Sequence, residues 1–193
     1  MTDVARLPAF PPSVCVFCGS RKGSDPAFEG IARDTGAMLA RRGWRLVYGA
    51  GDVGLMGSVA RATQQAGGKT FGVIPVHLMH DEVARRDLDH LVITETMHER
   101  KTVMFTNSHA AVVLPGGAGT LDEFFEVLTW AQIGLHSKPL ILLDIGGFWQ
   151  PLLALLDHVV AQGFAAPSLR ELLQVVGDVG ALETALCPAL TAR

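Results

Sequence analysis

Short apolar runs alternating with segments of helical periodicity predict an α/β fold, a parallel sheet with helices on both faces. Three observations carry this expectation. Val14–Phe17, Arg45–Tyr48, Thr70–Ile74, Ala110–Leu114 and Leu140–Leu143 have the length and apolar content of strands buried on both sides. Small or glycine-rich turns follow four of these runs: Gly19-Ser20, Gly49–Gly54, Pro75 and Pro115–Thr120. The composition, 49% hydrophobic and 18% charged over 193 residues, suits one domain with a sizeable core.

Residues 1–13 carry Asp3, Arg6 and three prolines, and are expected to form a flexible tail before a single domain over 14–193. Val14–Phe17 is the first strand, running into Cys18-Gly19-Ser20-Arg21, a turn that offers a hydroxyl and a cation. Asp25-Pro26 is a helix start, with Asp as N-cap and Pro at the first position. Phe28, Ile31, Ala32, Thr35 and Leu39 then share one face, and Gly43 ends the helix. Arg45–Tyr48 is a strand, Gly49–Gly54 opens a helix to about Ala66, and Thr70–Ile74 is the third strand, closed by Pro75. Residues 76–94 read as an irregular, solvated loop or lid, because Asp81, Glu82, Arg85, Arg86, Asp87 and Asp89 crowd there. From Thr96 a helix carries Met97, Arg100, Lys101 and Met104. Leu140–Leu143 precedes a helix from about Phe148 to Ala161, Leu173–Val176 a short strand, and Val179–Leu186 a closing helix.

The stretch with most chemical content is Pro115-Gly116-Gly117-Ala118-Gly119-Thr120-Leu121-Asp122-Glu123. It joins the apolar run 110–114 to a segment in which Phe124, Phe125, Leu128, Ala131, Ile133 and Leu135 recur with helical spacing. A glycine-rich strand-to-helix turn presents free backbone N–H groups where the helix dipole adds positive charge, which favours an anion such as phosphate. Thr120 to Glu123 also fits a capping box, in which Glu123 would only reach back to the backbone of Thr120. Ligands of parallel sheets sit beyond the carboxyl ends of the strands, so the four turns are expected to converge on one crevice.

Other classes fit less well. No Gly-Lys-Ser/Thr occurs, so the turn is not a Walker loop. Gly49-x-Gly51-x-x-Gly54 follows the second strand, and no acid lies between Asp52 and Asp81 to take a ribose, so it reads as a turn supporting the crevice. The seven histidines show no metal-binding spacing, and no metal or cofactor is expected. A net charge of −3 and pI near 6.1 argue against nucleic acid as main partner. No run is long enough to span a membrane; Pro139–Ile145 is short and interrupted by Asp144. Without a secretory signal or disulfide framework (Cys15, Cys18 and Cys187 only), the cytoplasm is the expected compartment.

The combination of Met97-His98-Glu99-Arg100-Lys101, Pro115–Glu123 and Thr129-Trp130-Ala131-Gln132 resembles the LONELY GUY family, cytokinin riboside 5′-monophosphate phosphoribohydrolases often labelled lysine decarboxylases. The similarity covers Val14 to Leu186. It implies a Rossmann-like three-layer α/β/α sandwich with a doubly wound parallel sheet, usually dimeric, with the site near the subunit interface. It further implies catalysis by Arg100 and Glu123, and substrate contacts from Glu82, Lys101, Gly117, Ala118, Gly119, Thr120 and Thr129; Ser20 and Gly116, in the turns themselves, are expected to join them. The reaction would release free base and ribose 5-phosphate from cytokinin nucleotides, with AMP a second candidate. Ala50 stands where the family usually has glycine, and Ala118 where it commonly has tyrosine. Cleaving an N-glycosidic bond builds positive charge on the ribose, which a carboxylate can stabilise. Arginine does not readily give up a proton, so Arg100 is expected to hold phosphate or stabilise charge on the leaving base.

Two alternatives stand beside this one. One is a non-catalytic nucleotide or molybdenum-cofactor carrier of the same architecture. The other takes the decarboxylase label literally, with pyridoxal phosphate on Lys22, Lys69, Lys101 or Lys138. The helix after Glu123 is apolar on two stripes, Phe124, Leu128, Ala131 and Leu135 on one and Phe125 and Ile133 on the other, which predicts a homodimer through the stripe the sheet does not cover.

Overall fold

A computed structural model describes residues 11–79 and 87–191 of the chain. In chain order come β1 (Ser13–Phe17), α1 (Pro26–Arg41), β2 (Arg45–Tyr48), α2 (Gly54–Gln65), β3 (Thr70–Pro75), β4 (His90–Thr94), α3 (Met97–Thr106), β5 (Ala110–Val113), α4 (Ala118–Gln132), β6 (Leu140–Leu143), α5 (Gln150–Ala161), β7 (Gln174–Val176) and α6 (Val179–Thr191), with 3-10 turns at Val76–Leu78 and Pro167–Leu172. Among the described residues the seven strands form one sheet, all parallel, in the order β4-β3-β2-β1-β5-β6-β7. The chain winds outward from β1 to β4, crosses back, and winds outward the other way from β5. That reversal puts the switch point of a doubly wound sheet between β1 and β5.

Two apolar layers follow from the alternation of side chains along each strand. Val14, Val16, Leu46, Tyr48, Val112, Ile141 and Leu143 pack with α1, α2 and α6. Cys15, Phe17, Val47, Val73, Val113, Leu140 and Leu142 pack with α3, α4 and α5. The result is the three-layer α/β/α sandwich the sequence predicts.

Local signals mostly act as read. Asp25 caps α1, its carboxylate accepting from Ala27 N at 2.8 Å. Several boundaries differ. β1 starts one residue earlier, at Ser13, which is buried because its hydroxyl donates to Pro11 O and accepts from Arg45 Nε at 3.0 Å. α5 starts at Gln150 and α6 continues to Thr191, through Pro188.

Two corrections are larger. The region expected to be an irregular loop contains β4, an edge strand paired in parallel with β3. Its preceding acid is not a solvated charge: Asp89 accepts from Thr70 N at 2.9 Å and pairs with Lys69 at 2.7 Å, tying the start of β4 to the start of β3. And α4 begins at Ala118 with Gly117 as N-cap, so Thr120 lies inside the first turn and forms no capping box with Glu123. The box is instead Thr96 and Glu99 at the start of α3, with Glu99 N donating to Thr96 Oγ1 at 3.2 Å and Thr96 N to Glu99 Oε2 at 3.3 Å.

Gly36 sets how closely α1 and α2 approach, since a Cβ there would lie 2.3 Å from the carbonyl oxygen of Val59. Gly36→Ala should therefore destabilise the fold by about 1–3 kcal/mol, the usual cost of overpacking. Calorimetry should show the melting temperature lower by about 2–4 °C per kcal/mol. An unchanged melting temperature would mean that the two helices tolerate a wider spacing.

Candidate active site

The turns after β1 and β5 are locked together. Gly19 N donates to Pro115 O at 3.0 Å, and Gly19 O accepts from Leu55 N, the first residue after Gly54, at 3.0 Å. Three strand ends thus meet at one glycine. Gly54 adopts φ +55°, and a Cβ on it would lie 2.3 Å from the carbonyl carbon of Ser20. The Gly49–Gly54 turn therefore buttresses the crevice rather than lining it, as its sequence position suggests.

Above these turns lies a cavity of about 540 Å³, within the range that encloses a small organic ligand. Its walls include Ser20, Arg21 and Lys22 from the first turn, Gly116–Thr120 from the second, Arg100 from α3 and Glu123 from α4. Met56, Met97, Leu78, Phe28 and Phe148 supply apolar surface. Phe28 and Phe148 meet edge to face with centroids 5.4 Å apart. Pro75 is not part of the wall; Leu78, just beyond it, is.

The N-terminus of α4 is chemically open. Gly117 offers no capping side chain, and the first helical bond runs from Leu121 N to Gly117 O at 3.0 Å. Residues 117–119 are exposed at the cavity. α2 also lacks a side-chain cap, but its Leu55 N–H is taken by Gly19 O. The first-turn amides of α4 thus face the cavity and favour an anion there.

Arg100 is only 4% exposed. Its Nε donates to Val73 O at 3.2 Å and its Nη2 to Gly49 O at 2.8 Å, with Nη1 3.8 Å from Met97 Sδ. The carboxyl ends of β2 and β3 thus offset the desolvation of a buried guanidinium and fix its direction. Glu123 reaches the cavity from the second turn of α4, half-buried. Its charge is felt in the sheet: burial, and then the Glu123 carboxylate, hold the Cys15 thiol well above its ordinary range. Cys15 is a protonated core residue, in line with its reading as packing. Cys18 lines the cavity edge.

The other expected substrate residues divide. Ser20, Gly116, Gly117, Ala118, Gly119 and Thr120 come together at the cavity with Arg100 and Glu123. Lys101 does not line it. Its side chain, 8% exposed, turns to α4 and pairs with Asp122 at 3.0 Å and Glu126 at 3.2 Å. Burial alone would lower its ammonium, but the two carboxylates outweigh that and raise it. Thr129 lies about three turns along α4, exposed, its hydroxyl donating to Phe125 O at 2.6 Å. Helical geometry points both side chains away from the cavity. Glu82 lies outside the described residues. The aromatic wall was not singled out from the sequence, since Phe28 reads only as a core position of α1 and Phe148 as the start of a helix. Among the described residues no group of three or more His, Cys, Asp or Glu side chains is arranged to hold a metal ion, and no helix is long and apolar enough to cross a membrane.

Comparison with known proteins adds to this geometry. Residues 56–186 match a family described as "Possible lysine decarboxylase". A probable cytokinin riboside 5′-monophosphate phosphoribohydrolase of Oryza sativa subsp. japonica is 46% identical over 88% of this chain and 74% of its own length. A cytokinin riboside 5′-monophosphate phosphoribohydrolase of Arabidopsis thaliana is 42% identical over 83% of this chain and 74% of its own. Among solved structures, a molybdenum cofactor carrier protein from Chlamydomonas reinhardtii superposes with a TM-score of 0.73 at 22% identity, covering 94% of this chain and 99% of the other. At that identity the likeness establishes the shared fold alone.

The anion site at α4 predicts a simple outcome. Inorganic phosphate should raise the melting temperature more than chloride at equal ionic strength, increasing with the logarithm of concentration as ligand linkage requires. Identical melting curves in the two salts would remove the anion site.

Proposed function

The chain belongs to the family of cytokinin riboside 5′-monophosphate phosphoribohydrolases, and we propose that it hydrolyses the N-glycosidic bond of such nucleotides, and of AMP, to free base and ribose 5-phosphate. The single observation that supports this best is one cavity lined at once by the open N-terminus of α4, the buried cation Arg100 and the carboxylate of Glu123.

The chemistry follows from those three groups. The 5′-phosphate is held by the amides of residues 117–120, with the Ser20 hydroxyl and Arg21 also at the cavity, in the adjoining turn. As the bond from the ribose to the base nitrogen breaks, its electron pair leaves with the base and positive charge grows on the sugar. Glu123 stabilises that charge and accepts a proton from the water whose oxygen bonds the anomeric carbon. The guanidinium of Arg100 faces the negative charge that develops on the departing base, which takes up one proton from solvent to become the free base while Glu123 releases to solvent the one it accepted from water. The apolar residues around Met56 and Phe148 accept a flat, substituted purine.

A carrier role has the fold in its favour but gives no reason for a carboxylate and a buried arginine to share the cavity. Pyridoxal phosphate chemistry does not fit the residues present. Of the four lysines only Lys22 lines the cavity, and its side chain is 61% exposed and paired with Glu29 at 3.1 Å. Lys69 pairs with Asp89 and Lys138 donates to Phe105 O.

We also infer a cytoplasmic homodimer. Phe124 and Leu128 of α4 are buried against the sheet, whereas Phe125, Leu155 and Phe164 are 37%, 50% and 85% exposed around an apolar groove between α4 and α5. Leu135, grouped by its spacing with Phe124 and Leu128, lies beyond the end of α4 and is 68% exposed. Thr129 lines the same groove, so a substrate contact from Thr129 would come across the subunit boundary. The absence of any disulfide among Cys15, Cys18 and Cys187 supports a reducing compartment.

Two outcomes test these readings. The wild-type protein should release ribose 5-phosphate from N6-isopentenyl-AMP, while Glu123→Gln, nearly isosteric, should lose activity on the order of a hundredfold or more with little change in melting temperature. A fully active Glu123→Gln protein would leave the mechanism without its carboxylate. Light scattering at micromolar concentration should give twice the chain mass, and Phe164→Glu should shift it toward the monomer; a monomeric wild-type mass would contradict the dimer.

A further inference from the structure

Arg100 and Glu123 sit on different helices, and the residue next to Arg100 bridges the two. We propose that Lys101 is a positioning residue: by clamping Asp122 and Glu126 it sets the rotation of α4, and so the aim of Glu123 into the cavity relative to Arg100. The proposal rests on the phosphoribohydrolase reading above.

The geometry of both helices leads to it. Asp122 and Glu126 are one turn apart and present carboxylates on the same side of α4, where Lys101 Nζ reaches both, at 3.0 and 3.2 Å. Glu123 lies about 100° around the axis from Asp122 and about 60° from Glu126. On α3, Lys101 lies about 100° from Arg100. Each helix therefore turns one face to the cavity and a neighbouring face to the clamp. Arg100 is itself fixed by the carbonyls of Gly49 and Val73, so α3 is the stationary partner. Rotating α4 enough to swing Glu123 away from the cavity pulls at least one carboxylate off the ammonium.

Phe124, Val127 and Leu128 hold one face of α4 against the sheet, and the clamp acts on the finer rotation that this packing leaves at the start of the helix. The first turn of α4 has no side-chain cap and contains Ala118 and Gly119. Farther along, Phe105 of α3 meets Trp130 of α4 with ring centroids 5.2 Å apart. That apolar contact keeps the helices together near the end of α4, some distance from Glu123. The same contact lets a variant at Lys101 keep its fold.

The test compares Lys101→Met, Lys101→Arg, Glu126→Gln and the double variant Lys101→Met/Glu126→Gln in steady state with N6-isopentenyl-AMP, with ribose 5-phosphate as product inhibitor and the melting temperature of each measured. Lys101→Met should lower kcat by about tenfold to a hundredfold, the scale on which a small misplacement of a catalytic group acts. KM and the inhibition constant of ribose 5-phosphate should stay within about twofold, since ground-state binding is untouched. Lys101→Arg, able to bridge both carboxylates, should recover most of the activity. The double variant should be no worse than Lys101→Met, because both changes break one interaction. A rise in KM and in the inhibition constant with kcat preserved would make Lys101 a phosphate ligand and overturn the proposal. So would unchanged kcat in folded Lys101→Met, or strictly additive losses in the double variant. Should Lys101→Met not fold, Glu126→Gln carries the same kcat-against-KM reading. If the wild-type protein releases no ribose 5-phosphate from any nucleotide, the function reading fails, not the clamp; hydrogen exchange at the first turn of α4 then decides the clamp, which predicts faster exchange in Lys101→Met than in wild type.

Discussion

The structure depends on how closely β1 and β5 can finish side by side. Gly19 donates to Pro115 O and accepts from Leu55 N, so one residue binds the ends of β1, β5 and the turn after β2. A larger residue would be crowded there: a Cβ on Gly19 would lie 3.3 Å from the Cα of Gly116 and 3.2 Å from Arg21 O, so the neighbouring turn would have to give way slightly. Gly116 is closed in the same way by Thr120, whose Oγ1 would be 2.1 Å from a Cβ on it. With the turns this close, the cavity opens directly above the switch point, and α4 begins at its floor. The glycines thus shape the site by what they leave out.

Given that floor, electrostatics organises the walls. The cavity receives positive charge from backbone amides at α4 and from a guanidinium anchored on backbone carbonyls, and negative charge from the carboxylate of Glu123. Arg100 is oriented by dipoles of the sheet, and Glu123 by the setting of a helix. Both directions are therefore fixed by the fold before any ligand arrives, which is the condition for electrostatic catalysis without reorganisation.

α4 serves four surfaces at once. Phe124, Val127 and Leu128 bury one side against the sheet, Asp122 and Glu126 hold α3, Glu123 faces the cavity, and Phe125 and Thr129 line an apolar groove. A helix has room for these four demands because successive residues point about 100° apart. The consequence is coupling: a change in the packing of one face turns the others.

The sequence by itself determined the alternation of buried strands and helices that makes a parallel sheet, and the glycine turns at the strand ends, because continuous apolar runs, helical spacing and glycine punctuation are local properties of the chain. It also marked Glu123 and the stretch from Gly116 to Thr120, because the spacing of a turn and its helix is set within a few residues, whereas Arg100 stood out through the resemblance of Met97–Lys101 to the family's motif. Tertiary structure decided the rest. β4 was hidden because its neighbouring charges read as solvated, and only pairing with β3 shows Asp89 receiving the Thr70 N–H. The capping box belonged to Thr96 and Glu99 rather than Thr120 and Glu123, since where α4 begins depends on the contact between the β1 and β5 turns. Lys101 and Thr129 stand beside the motif in sequence but face other surfaces, because direction around a helix axis follows from packing against partners that are distant in the chain. Phe28 and Phe148, 120 positions apart, share a wall only because α1 and the end of β6 meet at the same edge of the cavity.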